Sequence, residues 1–156
     1  MNQAVDMNQA VNMGTNLKVK RLDERAQLPT YGTGGAACFD LYAIQSGVAY
    51  SGGSVLIRTG LSFDIPEGWA MLVYSRSGHG FKNAIRLANC TGVIDSDYTG
   101  EVMVKLANDS DFSFTVTAGD RVAQAMLVPV KRFSFVEVGE LKETERGEGG
   151  FGSTGK

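Results

Sequence analysis

Several short stretches of this sequence carry residue types that can hold phosphates or activate water. The turn "YSRSGHG", residues 74 to 80, places a guanidinium, a hydroxyl and an accessible backbone amide side by side at Arg76, Ser77 and Gly78. This set suits phosphate oxygens, because guanidinium groups and amides bind anionic oxygens in a fixed geometry. A solvent-exposed turn arginine is the alternative interpretation, and it is the more frequent one for an isolated motif.

His79 lies in the same turn and is the only histidine of the chain. A triad of the Ser-His-Asp or Cys-His type would therefore have to use this one imidazole. We interpret His79 as a solvated turn position rather than as a catalytic group.

The stretch "ANCTGVIDSDYTGEVMVKL", residues 88 to 106, brings Asp95, Asp97 and Glu101 close together. A carboxylate held near a cleft can act as a general base toward water. The alternative is that Asp95 and Asp97 only close turns, which aspartate side chains do routinely. We predict a hairpin here, with residues 89 to 92 on one strand and "DSDYTG" in the turn.

Two polar residues interrupt strands that are otherwise apolar. Asp40 lies within "AACFDLYA", residues 36 to 43, and Gln124 lies within "GDRVAQAMLV", residues 119 to 128. A buried charge needs a partner, so Asp40 pairs either with an arginine or with the water shell of a metal ion. Gln124 must be hydrogen-bonded if it is buried.

The last residues, "RGEGGFGSTGK" from 146 to 156, fit most of the P-loop pattern, whose glycine-rich backbone cradles phosphates. The hydroxyl residue after the lysine and the following helix are missing, so a true P-loop is not predicted. Apolar periodicity ends at about Glu143. Such an arm is either disordered or ordered against a ligand or a neighbouring subunit.

The elements that must position these residues are short strands. Alternating patterns such as "LKVKRL", "SVLIRTGLSFDI" and "FSFTVTAG" predict strands, while "WAMLV" and "AMLVPV" predict strands buried on both faces. Turn clusters separate them about every ten residues, and 20 glycines are consistent with many turns. The pattern predicts an all-β domain of the sandwich, jelly-roll or barrel type, with at most one short helical turn near "SGHGFKNAI".

Composition narrows the class of protein further. The length of 156 residues favours a single domain, and a net charge of −2 argues against a broad basic surface for nucleic acid. Cys38 and Cys90 are too sparse for a disulfide framework and indicate reduced thiols. No run is long enough for a membrane span, so we expect a soluble, intracellular, cytoplasmic protein. The twice-occurring "MNQAV" predicts a flexible extension over residues 1–16.

Five stretches, in this order, resemble the five motifs of trimeric dUTPase: "AACFDLYA", "SRSG", "GVIDSDYTGEV", "GDRVAQ" and "RGEGGFGSTG". The resemblance runs from about Leu17 to the C-terminus. It implies a jelly-roll-like β-barrel over residues 17–142, assembled as a homotrimer with three shared active sites. It also implies that the arm, residues 143–156, closes over the site of a neighbouring subunit, and that the reaction is hydrolysis of dUTP to dUMP and pyrophosphate.

The resemblance also implies roles for individual residues. Asp95 would activate the attacking water, and Tyr98 would pack beneath the deoxyribose and exclude a 2′-hydroxyl. Asn89 and the backbone around Gly92 would read the uracil edge. The phosphates would be held by Arg76, Ser77, Gly78, Gln124, Arg146, Gly152, Ser153 and Thr154. Phe151 would stack on uracil, and Mg²⁺ would bridge the phosphates, with Asp40 touching its water shell.

Departures from the family pattern are few. Cys38 stands where the first motif usually has glycine, Ser75 where proline is frequent, and His79 where leucine is common. Two other interpretations stay open at this point: a dCTP deaminase-like enzyme, which shares the fold, and a regulatory protein that binds the nucleotide as a signal.

Overall fold

Short strands account for nearly all regular structure in this computed structural model, which describes residues 16–150. The strands are β1 Lys18–Arg21, β2 Thr30–Tyr31, β3 Phe39–Tyr42, β4 Gly47–Ala49, β5 Ser54–Arg58, β6 Leu61–Asp64, β7 Trp69–Tyr74, β8 Ile85–Leu87, β9 Thr91–Ile94, β10 Met103–Asn108, β11 Phe114–Val116 and β12 Arg121–Pro129. One helix, α1, spans Ser77–Asn83. The prediction of an all-β, jelly-roll-like barrel is confirmed.

Four antiparallel sheets surround one apolar core. The largest has the strand order β2-β3-β12-β7-β9, and a three-stranded sheet has the order β5-β10-β8. The pairs β1-β6 and β11-β4 complete the wall. The core between them is formed mainly by aliphatic side chains, with Leu41, Ile57, Met71 and Leu106 almost fully buried.

The five-stranded sheet separates an apolar row from a polar row. Phe39, Ala125, Val73 and Gly92 are paired across four strands and are all buried. Since neighbouring residues of a strand point to opposite faces, the adjacent row must face outward. That outward row contains Thr30, Asp40, Gln124, Tyr74 and Thr91. The sheet thus presents Asp40 and Gln124 side by side.

The prediction of a hairpin over residues 88 to 106 is wrong. β9 pairs with β7, whereas β10 pairs with β5 and β8, so the two strands belong to different sheets. The segment between them carries the chain from one wall of the barrel to the other. Local sequence did not reveal this, because the partners of β9 and β10 are supplied by distant strands.

The short turn expected near "SGHGFKNAI" is instead a seven-residue helix. Its end is marked by Ala84 in the left-handed conformation, with φ 51°, whose N–H donates to backbone carbonyls of the last turn. Two glycines within the helix hid its periodicity, since glycine is a poor helix former. Across residues 16–150, no helix is long and apolar enough to cross a membrane.

Candidate active site

Asp40 joins two arginines from different parts of the chain. Its carboxylate lies 3.5 Å from Nε of Arg76 and 3.2 Å from Nη1 of Arg121. Arg76 also donates from Nη1 to the backbone carbonyl of Arg121, at 3.1 Å. Of the two partners that the sequence left open for Asp40, the structure shows the arginine.

Gln124 extends this group along the sheet. Its Nε2 donates to the carbonyl of Ser75 at 3.0 Å, and the Ser75 hydroxyl in turn accepts from the N–H of Leu87 at 2.8 Å. Both bonds fix the end of β7 just before Arg76. We call Asp40, Ser75, Arg76, Arg121 and Gln124 the arginine cluster. Sequence reasoning missed Ser75 and Arg121, although the latter lies within the quoted "GDRVAQ".

The helix α1 begins directly after Arg76, which occupies its N-cap position. Ser77 and Gly78 are exposed at its start, and a Cβ added at Gly78 would meet nothing within 4 Å. The hydroxyl and amide therefore face open space beside the guanidinium. The structure thus places Arg76, Ser77 and Gly78 next to one another, and their contact with an anion stays a prediction.

His79 is half-buried, so its prediction as a solvated turn position is wrong. Its Nε2 lies 3.3 Å from Nη1 of Arg76, and its ring meets Phe114 edge-on with centroids 5.3 Å apart. Nδ1 is buried and has no hydrogen-bond partner among residues 16–150. Because a guanidinium only donates, Nε2 must be the acceptor and the imidazole must be neutral. Burial, and then the charge of Arg76, lower the pKa of His79 below its ordinary value.

A second group of candidate residues occupies the segment between β9 and β10, which we call the 95–101 loop. Asp95 is exposed, and no described residue donates a hydrogen bond to its carboxylate. The alternative that its side chain closes a turn is thus not supported, since the turn bond runs from the N–H of Tyr98 to the Asp95 carbonyl, at 3.2 Å. Asp95, Ser96 and Asp97 line a cleft of about 670 Å³ with Trp69 and Arg132.

Tyr98 folds back over its own loop. Its hydroxyl donates to the carbonyl of Glu101 at 2.9 Å, and a Cβ at Gly100 would lie 2.6 Å from that hydroxyl. A side chain at position 100 would therefore require the Tyr98 ring to move. The carboxylate of Glu101 points elsewhere and pairs with Arg58, so it does not join Asp95 and Asp97 in an acidic group.

A groove separates β9 from β10, because these strands do not pair. One part, of about 500 Å³, is lined by residues that include Asn89 and Gly92, and a second part, of about 240 Å³, includes Asp95 and Tyr98. Both parts share the walls Val93, Ile94 and Met103. Asn89 and Gly92 lie close together, since a Cβ at Gly92 would be 3.7 Å from Nδ2 of Asn89. The apolar wall residues were not identified from the sequence, which gave no local signal for the groove.

The arginine cluster and the 95–101 loop lie at opposite ends of β7. Arg76 lies two residues after Tyr74, the last residue of β7, whereas Asp95 directly follows Ile94, which pairs with Met71. Three residues of strand span about 10 Å, so Asp95 and Arg76 of one chain are separated by at least that distance along the sheet. A single chain does not bring these two sets of residues together.

The remaining predicted residues belong to the C-terminal arm. Arg146 is exposed, and its Nε donates to the carbonyl of Gly149 at 2.7 Å within a local turn. Phe151, Gly152, Ser153 and Thr154 lie outside the described residues. Their predicted contacts with base and phosphate stay predictions.

The side chains present fit a metal ion that takes most of its ligands from elsewhere. Residues 16–150 contain no cluster of three or more His, Cys, Asp or Glu side chains arranged to hold a metal. Asp40 is in contact with two arginines, so its carboxylate is not part of a dedicated metal cage, and its contact with the water shell of a metal ion stays a prediction. Mg²⁺ is commonly held in this way, by substrate phosphates and waters with few protein ligands.

Comparison with known proteins identifies the family. The family model for dUTPase matches residues 24–155, a range that contains all five motifs. The chain belongs to the dUTPase family. The deoxyuridine 5′-triphosphate nucleotidohydrolase of Nautilia profundicola is 46% identical over 140 residues, covering 90% of this chain and 99% of the relative. That of Glaesserella parasuis is 49% identical over 140 residues, covering 88% and 93%.

Solved structures agree with this assignment. The dUTPase of Staphylococcus bacteriophage 80alpha with dUpNHpp is 28% identical, with a TM-score of 0.85, covering 91% of this chain and 99% of that one. A dUTPase mutant from phage phi11 of S. aureus, described with a structural Mg(II) ion, is 25% identical, with a TM-score of 0.74 and coverages of 80% and 97%.

The burial of His79, and then the charge of Arg76 beside it, predict how stability depends on pH. In the unfolded chain His79 takes up a proton near its ordinary pKa of 6.5, but in the folded protein it does so only at lower pH. The unfolded state therefore binds the proton first, and stability falls as pH drops below 6.5 toward the lowered pKa. We expect His79→Leu to remove this part of the pH dependence. Urea unfolding at about pH 7.5 and about pH 5.5 gives the free energy of unfolding of the wild type and the variant at each pH. The same loss of stability at the lower pH in both proteins would contradict the role of His79.

Proposed function

We propose that this protein hydrolyses dUTP to dUMP and pyrophosphate, by attack of water on the α-phosphorus. The observation that carries the proposal is the groove between β9 and β10, with Asn89 and Gly92 in one part and Asp95 and Tyr98 in the other. The groove offers polar groups to a base at Asn89 and Gly92, a packing surface to a sugar at Tyr98 and a carboxylate to the attacking water at Asp95. This order matches the order of base, sugar and α-phosphate in a nucleotide. The family assignment supports the same reaction.

The base occupies the part of the groove lined by Asn89 and Gly92. β9 is an edge strand of the five-stranded sheet, so its outer backbone groups face the groove. Backbone amides and carbonyls have a fixed polarity, and a site built from them rejects a base whose donors and acceptors are reversed. Uracil and cytosine differ in this way at the exocyclic position, so the groove selects uracil.

The sugar packs on Tyr98, whose ring is held by the hydroxyl bond to Glu101 and lies close against Gly100. A rigid ring leaves no space for an additional 2′-hydroxyl. Selection by exclusion of one oxygen needs such rigidity, because a mobile ring would simply move aside. Tyr98 thus excludes ribonucleotides.

Asp95 acts as the general base. Water forms a bond to the α-phosphorus, the bond from that phosphorus to the bridging oxygen of the β-phosphate breaks, and the proton of the water passes to the Asp95 carboxylate. The departing pyrophosphate carries the electron pair of the broken bond. Exposure of Asp95 at the edge of its cleft leaves the carboxylate accessible to a bound water.

The arginine cluster holds the triphosphate. Arg76 is oriented by Asp40, by the Arg121 carbonyl and by His79, so its guanidinium is ordered before substrate arrives. Ser77, Gly78 and Gln124 add donors around it. Ordered donors stabilise the charge that develops on the leaving group without further rearrangement. Mg²⁺, when bound, would supply charge neutralisation at the phosphates, and Asp40 would hold it through its water shell.

A complete site requires more than one copy of the chain, and we propose a homotrimer. Asp95 and Arg76 of one chain lie too far apart to act on the same phosphates, so the neighbouring subunit must provide one of the two. The segment after β12 supports an assembly, because its apolar side chains are exposed in the single chain: Phe133, Phe135, Val136, Val138 and Leu141.

We further propose that residues 143–156 form an arm that closes over a neighbouring site, with residues 17–142 as the barrel and 1–16 as an extension. Residues 143 to 148 are exposed and make only local contacts, such as the N–H of Gly147 with the Thr144 carbonyl at 3.0 Å. Such a segment adds little to the barrel. Closure brings Arg146 to the terminal phosphate and Phe151 onto uracil, which excludes water from the reacting groups.

Nucleotide turnover with Mg²⁺ tests the proposed reaction. We expect selective conversion of dUTP to dUMP and pyrophosphate, with dCTP, dTTP and UTP turned over slowly if at all. Monophosphate, pyrophosphate and ammonia are quantified separately for each nucleotide. Ammonia release from dCTP would favour a deaminase, and dUTP binding without turnover would favour a regulatory binding protein.

Replacement of Asp95 tests the general base. We expect Asp95→Asn to lower kcat by about 10²- to 10⁴-fold, because the amide cannot take a proton, while dUTP still binds. Asp97→Asn is the matched control, since Asp97 lines the same cleft two residues away. Steady-state kinetics measures the loss of turnover, and calorimetry measures whether dUTP still binds. Near-normal turnover by Asp95→Asn would assign the base elsewhere.

Removal of residues 146–156 tests the arm. We expect the truncated protein to remain a trimer and to lose most of its turnover, because the arm contributes to closure and not to the core. Deletion of residues 1–16 is the control of similar size and is expected to keep full activity. Light scattering reports the assembly and dUTP hydrolysis reports the activity. Full activity without the arm would contradict closure.

A further inference from the structure

Glu101 links the 95–101 loop to the opposite wall of the barrel. Its carboxylate oxygens lie 3.0 and 3.2 Å from Nε of Arg58, and one of them also accepts from the N–H of Gly60 at 2.8 Å. The side chain of Glu101 is only 15% exposed. Charge-assisted bonds of this kind are stronger than neutral ones, and here they join the loop to the turn between β5 and β6.

That turn is a rigid anchor. Gly60 has φ +68°, and a Cβ there would lie 2.9 Å from Cβ of Ala26, so no other residue fits without a shift. Its carbonyl accepts from the N–H of Leu22 at 2.8 Å, and the preceding residue, Thr59, is fully buried. A group bound to this turn therefore has little freedom to move.

Glu101 also holds Tyr98, through its backbone carbonyl rather than its side chain. The Tyr98 hydroxyl donates to the Glu101 carbonyl at 2.9 Å. The chain of contacts thus runs from Arg58 and Gly60 to the Glu101 carboxylate, and from the Glu101 carbonyl to Tyr98. The position of the aromatic ring depends on where Glu101 is held.

We infer that Arg58 and Glu101 are positioning residues that set the discrimination between deoxyribose and ribose. This rests on the proposed function, because it concerns how the proposed sugar site selects its substrate. Arg58 lines neither part of the groove, and Glu101 lines one part while its carboxylate is bound to Arg58 and Gly60. The N–H of Val102 and the carbonyl of Thr99 stay bonded to β6, through the Leu61 carbonyl and the Ser62 hydroxyl. Loss of the ion pair therefore frees only the part of the loop at Glu101, where the carbonyl and the Tyr98 ring shift together, and the space that opens admits a 2′-hydroxyl.

The ratio of kcat/KM for UTP to kcat/KM for dUTP measures this effect. A misplacement of about 1 Å can change a rate by up to about a hundredfold, so we expect Arg58→Gln and Glu101→Gln to raise the ratio by about tenfold. Arg58→Lys keeps a charge near Glu101 and is expected to restore part of the discrimination. Asp109→Asn is the matched control: it breaks another ion pair, Arg86 with Asp109 at 2.6 Å, that does not touch the loop.

A double-mutant cycle separates positioning from a general loss of stability. Tyr98→Phe removes only the hydroxyl bond to Glu101. If Arg58 acts through that same bond, the ratio of the double variant Tyr98→Phe with Arg58→Gln should be no higher than that of the more affected single variant. Additive effects, or an unchanged ratio in Arg58→Gln and Glu101→Gln, overturn the inference. Loss of the trimer in both variants also overturns it, since the ion pair would then be structural.

Turnover by the wild-type protein separates failure of the positioning role of Arg58 and Glu101 from failure of the proposed function. A wild type that turns over dUTP, with variants that keep its selectivity, overturns only the role of Arg58 and Glu101. A wild type that turns over neither nucleotide overturns the proposed reaction and this inference together.

Discussion

The alternation of side chains across the five-stranded sheet is the constraint on which the site depends. Burial of Phe39, Val73 and Ala125 forces the neighbouring residues, Asp40, Tyr74 and Gln124, to the opposite face. A slip of one residue in either pairing would bury Asp40 and expose the core row, at a cost that no local contact could offset. The apolar core therefore fixes the register, and the register fixes the polar row.

Charge balance within the arginine cluster follows from this arrangement. Asp40 stands between Arg76 and Arg121, so two positive charges share one negative charge on a half-buried surface. The excess positive charge makes the cluster attractive to anions, while Asp40 lowers the repulsion between the two guanidinium groups. His79 completes the set as a neutral acceptor, which orients Arg76 without adding charge at neutral pH.

Much of the fold and of the site was predictable from the sequence, and the failures have a common cause. Strand patterns, the polar interruptions at Asp40 and Gln124 and the ordered motifs are local signals, and the structure agrees with them. The hairpin around the 95–101 loop was wrong because the pairing of β9 and β10 is decided by β7 and β5, far away in sequence. The partners Arg121, Ser75 and Arg58 were missed for the same reason. His79 was misjudged because Phe114, which covers it, comes from a distant strand.

The exposed segment after β12 has a consequence for the newly made chain. Phe133, Phe135 and neighbouring aliphatic residues form an exposed apolar run without regular structure, which is the kind of segment that can start aggregation when several copies meet. Charged residues precede and interrupt this run. Lys131 and Arg132 come before it, and Nζ of Lys131 lies 5.4 Å from the Phe133 ring centroid. Glu137 and Glu140 lie between its apolar residues. These charges act as gatekeepers. They disfavour association between the apolar runs of separate chains.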